Sequence, residues 1–153
     1  MNASNLTPSV LAAAGELGDG VIDNIVVRPV VHLIVGSLVI ISFVVFAAWM
    51  IKALIQRRPW DRTSLILLGA CEVILAVQVL IGVKLLDQGE GIFQLFIHYA
   101  GGLLPIAIFV VAGWIDFGDA VKKTRAYAVC ALVSLGIILM TYFIGEAYAN
   151  RAV

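Results

Sequence analysis

The sequence predicts an all-α polytopic membrane protein, a four-helix transmembrane bundle made of two repeated hairpins. Three observations predict it. Hydrophobic residues make up 62% of the 153-residue chain and charged residues only 13%, a balance outside that of soluble domains. Four stretches are long enough to cross a hydrocarbon core about 30 Å thick, which takes roughly 20 apolar residues of helix. The third observation is an internal repeat. The stretch from His32 (HLIVGSLVIISFVV) falls on that from His98 (HYAGGLLPIAIFVV), so that Gly36 matches Gly102, Leu38 matches Leu104, Ile40 matches Ile106, and Phe43-Val44-Val45 matches Phe109-Val110-Val111. Self-similarity of this length means two copies of one supersecondary unit.

The expected spans are 30–55, 64–86, 92–115 and 126–148, within a membrane domain covering 28–153. Helices are the natural choice because backbone groups in lipid must be bonded within the segment, and the alternation that barrel strands need is absent. Residues 1–27 read as an acidic arm on the outer surface, without the basic start and compact apolar core of a signal peptide. Trp49 and Trp114 each close their repeat near its far end. A weaker match pairs Ile74, Ile81 and Gly82 with Ile137, Ile144 and Gly145, as duplication of a whole hairpin requires.

Formal charge sums to zero, but its distribution is one-sided. Lys52, Arg57, Arg58 and Arg62 surround the first connection, and Lys122, Lys123 and Arg125 lie between the third and fourth spans. The other side carries Glu16, Asp19, Asp23, Asp87, Glu90 and Glu146 against Arg28, Lys84 and Arg151. Basic loops stay cytoplasmic. The expectation is therefore a multi-pass protein of the cell inner (plasma) membrane, with both termini outside and both histidines near the outer leaflet.

Polar groups inside a membrane are costly and therefore informative. His32 and His98 are the chain's only histidines, each with a glycine four residues on, Gly36 or Gly102, on the same helical face. In an up-down bundle the first and third helices lie diagonally across the core. Two imidazoles reaching inward there suit a single six-coordinate iron porphyrin. His32 and His98 are thus the candidate metal ligands, and Gly36 and Gly102 the floor that lets a flat cofactor approach. The bland reading is a pair of interfacial histidines with glycines that serve helix packing. Zinc suits the pair less well, because it takes three or four ligands close together. Glu72, near mid-membrane, is expected to bond a serine across the bundle, with a proton path or quinone site as the other reading. Ser134, Thr141 and Tyr142 read as inter-helix bonding residues, and Cys71 and Cys130 as small core residues outside any disulfide framework.

From Arg28 to Val111 the chain reads RPVVHLIVG, a basic RRPW loop, LAVQVLIGVKLL and FIHYAGGLL. This resembles a four-helix half of the haem A synthase family, with a histidine opening one helix, a basic loop, a Q-x-x-x-G helix and a second histidine opening the next. The matching positions are His32, Arg57-Arg58, Gln78 with Gly82, and His98. The resemblance implies b-type haem held by the histidine pair on the outer side of the membrane. The family's catalytic members place a glutamate three residues before a histidine, where this chain has Pro29 and Leu95, and Leu33 stands where an arginine commonly follows. The resemblance therefore extends to the scaffold and the pocket, not to oxidation of a haem methyl group.

The leading expectation is a bis-histidine haem b protein of the membrane, working in electron transfer or haem-related respiratory assembly. Its partners would be quinone or a larger respiratory complex, besides the lipid bilayer, with a homo-oligomer also open. The other class is an accessory structural subunit of a respiratory or photosynthetic complex, without redox chemistry of its own. A transporter fits less well, because this repeat is parallel rather than inverted. No nucleophile, phosphate loop or carboxylate pair points to hydrolysis or group transfer. Nucleic-acid binding is excluded, because no basic domain lies outside the membrane.

Overall fold

The computed structural model describes residues 25–89 and 96–149. They form four helices and, among the described residues, no strand: α1 (Pro29–Ile55), α2 (Arg62–Asp87), α3 (Phe96–Trp114) and α4 (Ala120–Ala149). Each contains a stretch long and apolar enough to cross a membrane. Most of the N-terminal arm, and the part of the third expected span before Phe96, lie outside the described residues.

Local chemistry explains where the helices begin and end. Pro29 opens α1 in its first turn, where a missing N–H costs nothing. The same helix closes on Arg57, whose φ of 50° is left-handed, with the Arg58 N–H reaching Ala53 O at 2.9 Å and the Arg57 N–H reaching Leu54 O at 3.1 Å. That pair of bonds satisfies the last carbonyls of the helix. Asp61 caps α2: its Oδ1 accepts both the Ser64 N–H and the Ser64 hydroxyl at 2.8 Å. Ser64 Oγ in turn accepts the Trp49 indole N–H at 3.0 Å, so one cap also joins α2 to α1.

The last helix begins six residues before the expected 126, and the physical reason is another cap. Asp119 Oδ1 accepts the Val121 N–H at 2.8 Å, and good helix formers follow without a break. Lys122, Lys123 and Arg125 consequently stand on the first turns of α4 rather than in a loop.

The helices run up and down around one core. α1 packs against α2 and α4, α3 packs closely against α4, and α2 touches α3 only lightly. α1 and α3 therefore lie on a diagonal, as expected. On α1 the buried residues Gly36, Val39, Phe43, Phe46, Met50 and Ala53 alternate steps of three and four, with Ala47 buried beside Phe46. Such a narrow stripe is what a bundle seam needs. Thr124, Ala128, Ala131, Ser134, Ile138 and Thr141 form the matching stripe of α4. Large side chains such as Ile34, Ile41, Leu80 and Phe143 point outward, because lipid is as good a solvent for them as the core.

The repeat is visible in the packing. Phe43 and Phe109, matched in sequence, meet across the diagonal with ring centroids 6.3 Å apart, and Phe109 also packs edge-on against Phe46 at 5.8 Å. The two tryptophans are not equivalent. Trp49 is tied to Ser64, whereas Trp114 is 81% exposed. Trp60, in the first connection, ties that loop to the second: its N–H donates to Ala120 O at 3.2 Å, and its ring lies 4.3 Å from that of Tyr127. The Lys123 ammonium lies 5.4 Å from the Trp60 ring centroid, within cation–π range.

Asp61 supplies a test of the cap. The Ser64 N–H, and then its hydroxyl, hold the Asp61 carboxyl below the ordinary carboxylate range. A depressed pKa means stabilisation that is present above the ordinary carboxylate pKa and lost as pH falls through the lowered folded value. Asp61→Ala should lower the detergent-unfolding midpoint at neutral pH, and the deficit should close under acid. Asp61→Asn, which keeps a capping oxygen without the charge, should retain most of the midpoint at neutral pH.

Candidate functional site

At the end of the bundle opposite the basic residues, α1 and α3 bring the two imidazoles together. The ring centroids of His32 and His98 are 6.1 Å apart, with the planes inclined at 54°. Both rings are half-buried. Each is held by the second helix of its own hairpin, His32 by a side-chain amide and His98 by a main-chain carbonyl.

Gln78 of α2 faces His32, its Nε2 standing 3.2 Å from His32 Nε2. One turn further, at Gly82, an added methyl group would stand 3.3 Å from His32 Cε1. On the other hairpin, His98 Nδ1 donates to the main-chain carbonyl of Thr141 at 3.0 Å. One turn past Thr141 comes Gly145, where a methyl group would stand 2.9 Å from His98 Cε1. Gln78 with Gly82, and Thr141 with Gly145, are thus equivalent pairs, four residues apart on equivalent helices. Each glycine lets an imidazole lie against the opposing backbone.

The Thr141 carbonyl fixes the tautomer of His98. A carbonyl only accepts, so His98 carries its proton on Nδ1 and leaves the Nε2 lone pair outward. Gln78 meets His32 at Nε2, and the tautomer of that ring follows the orientation of the amide. A histidine that donates one nitrogen to a carbonyl and keeps the other free has the arrangement common to metal-bound imidazoles. His98 meets that description as it stands. The Nε2 of His32 is free only once Gln78 turns aside.

The expected floor of the pocket differs from its sequence-based picture. Gly36 does lie one turn beyond His32, but the space beside it is taken by Gln78, whose Nε2 would be 3.0 Å from an added methyl group. Gly102 faces α2, 3.9 Å from Val79 Cγ2 by the same measure. Its neighbour Gly101 is the more constrained of the two, because a methyl group there would collide with the Thr141 hydroxyl. The H-x-x-x-G register pointed to Gly102 and passed over Gly101. Pro105, buried one turn on, has no N–H to give to the Gly101 carbonyl.

Several buried polar atoms lack a hydrogen-bond partner among the described residues. His32 Nδ1, Gln78 Oε1 and Thr141 Oγ1 belong to the histidine site, while Glu72 Oε1 and Ser134 Oγ lie deeper. The serine bond expected for Glu72 is not formed. Glu72 is seven residues from Val79 and so shares its helical face, the one turned to α3 across the lightly packed side of the bundle. No group of three or more His, Cys, Asp or Glu that could hold a metal ion occurs among the described residues. Cys71 and Cys130 are free thiols.

The glycine contacts rank a substitution series. Gly101→Ala and Gly145→Ala should cost the most, about 1–3 kcal/mol as overpacking. Gly82→Ala should cost less, since the His32 ring needs to give by only tenths of an ångström. Gly69 and Gly136, with nothing within 4 Å, should accept alanine without loss. Detergent-unfolding midpoints of the five variants would reverse or confirm this order.

No family model, no curated protein and no solved structure matches the chain, so the chemistry of the site rests on its own residues.

Proposed function

We propose that the chain is an integral membrane haem-binding protein in which His32 and His98 are the two axial ligands of one b-type haem. The observation that carries the reading is the meeting of the two imidazoles across the diagonal, 6.1 Å apart between centroids. His32 and His98 would hold the iron of the haem between them, since a metal that takes imidazole nitrogens needs its ligands brought this close. Thr141 O takes the Nδ1 proton of His98 and so leaves its Nε2 available for ligation, while Gln78 stands on that of His32. The resemblance of Arg28–Val111 to a haem A synthase half agrees with this reading.

A bound haem would supply one-electron chemistry at its iron. The protein's own residues do the rest. Thr141 O orients His98 and raises the basicity of its Nε2. Gly82 and Gly145 set the depth of the two rings. Gln78 must release His32 Nε2 and is then available as a hydrogen-bond donor beside the site. The apolar helix faces around the pair lower the local polarity, which would tune the potential. The charge distribution supports placing the basic end in the cytoplasm and the histidine end toward the outer leaflet of the plasma membrane. Exchange with quinone or with a subunit of a respiratory complex would then take place there.

A second reading draws on the Gln78–His32 contact. In it each imidazole is a polar clasp that closes its own hairpin, His32 on Gln78 and His98 on Thr141, and the chain is an accessory subunit of a respiratory or photosynthetic complex. One experiment separates the two. Protein purified from haem-replete cells should show a Soret band and a reduced α-band, both abolished by His32→Ala or His98→Ala. Gln78→Ala should keep the bands and move the midpoint potential. A folded, colourless wild-type preparation would overturn the haem reading and favour the clasp.

A further inference from the structure

Away from the histidines, an open groove of about 720 Å³ runs between α3 and α4 on the outside of the bundle. Its walls are apolar, with Ala107 and Val111 on α3 and Ala126 and Val129 on α4. Along α3 the lining extends from Leu104 to Ile115, which is about 16 Å of helix. That is close to half of a hydrocarbon core about 30 Å thick, the depth of one leaflet. At the basic end the groove is closed by Lys122 and Arg125, three residues apart on one face of α4.

Both side chains are exposed, and neither makes an ion pair or hydrogen bond among the described residues. The neighbouring acids are engaged elsewhere: Asp116 Oδ1 accepts the Gly118 N–H at 2.9 Å and Asp119 Oδ1 the Val121 N–H at 2.8 Å. Lys123, between the two cations, turns to Trp60 and Tyr127 instead. Two cations without a partner among the described residues thus stand at the end of an apolar channel about as long as one leaflet is deep.

We propose that this groove is a binding site for an anionic glycerophospholipid, with one acyl chain lying along α3 and α4 and the phosphate between Lys122 and Arg125. A zwitterionic lipid satisfies the channel but brings its own ammonium to a site that already holds two positive charges. An anionic lipid satisfies both. The expected preference is roughly thirtyfold, from two cations each contributing at a membrane surface. The site is independent of the histidine pair.

The test uses the full chain in detergent, titrated with phosphatidylglycerol or with phosphatidylcholine and read by native mass spectrometry. Wild type should retain phosphatidylglycerol with the stated preference. The double variant Lys122→Gln/Arg125→Gln should bind the two lipids alike. Ala126→Phe, which fills the channel, should weaken retention of both. Lys52→Gln/Arg58→Gln, at the other connection, should leave the preference intact. Equal retention of both lipids by wild type would overturn the proposal, as would a preference that survives in the Lys122/Arg125 variant. Spontaneous Cys130–Cys130 crosslinking of a detergent-resistant dimer would assign the groove to a second copy of the chain and equally overturn it.

Discussion

An imidazole placed within a bilayer cannot turn to water, so its partner has to come from a neighbouring helix. In this chain each histidine finds that partner on the return helix of its own hairpin, against a glycine that lets the ring lie on the backbone. Everything else at that end of the bundle follows from this arrangement. The ring depth fixes the register of α1 on α2 and of α3 on α4. Once both hairpins are in register, the diagonal places the two rings beside each other. Hydrophobic burial cannot set this register, because lipid competes for every apolar side chain. Close packing and inter-helix hydrogen bonds must set it instead.

The same constraint explains which features were legible in the sequence. Four apolar runs and the choice of helix over strand follow from composition and the backbone's need for internal bonding, and the structure agrees. The diagonal pairing followed from the repeat, because parallel copies of a hairpin place matched residues at matched depth. His32 with His98 and Phe43 with Phe109 both meet as that argument requires. Helix starts were less legible. α4 extends to Ala120 because Asp119 caps it, and hydropathy says nothing about a charged turn that remains helical. The packing glycines were half legible. The Q-x-x-x-G and T-x-x-x-G spacings stand in the sequence, but that each faces a histidine is visible only once the hairpins close. Gly101 was hidden because Gly102 carries the repeat register. Trp114 misled in the other direction: its match to Trp49 is real in sequence and empty in packing, since Trp60 supplies the indole against α4.

Duplication gave two equivalent hairpins, but their association is not symmetric. α1 lies close to α4, while the related pair, α2 and α3, touches lightly. Side-chain volume and polarity account for part of the difference. The α1–α4 side carries Phe46, Met50, Ala128, Ala131 and the ring chain through Phe109 and Tyr127. The facing side of α2 carries Glu72, whose carboxyl oxygen has no partner. An unpartnered polar atom loses its hydration without a replacement bond. It therefore opposes close approach of the helix that would bury it.

The two ends of the bundle differ in how firmly they are held, and the difference bears on where a ligand can enter. The basic end is tied several times over, by the Asp61–Ser64–Trp49 relay, the Trp60–Ala120 backbone bond and the Trp60–Tyr127 contact. Opening it would break all of these together. At the histidine end, among the described residues, the Gln88 side chain bonds both the N–H and the carbonyl of Val27 and so ties the start of α1 to the end of α2. His32 Nδ1, Gln78 Oε1 and Thr141 Oγ1 make no bond that opening would have to break. Local opening draws on the least stable part of a fold. The lightly packed seam between α2 and α3 is therefore the side of the bundle where the fewest described contacts would have to break for the helices to part. His32 Nδ1, Gln78 Oε1 and Thr141 Oγ1 on this side stay without partners among the described residues, and buried groups of that kind weaken the local fold.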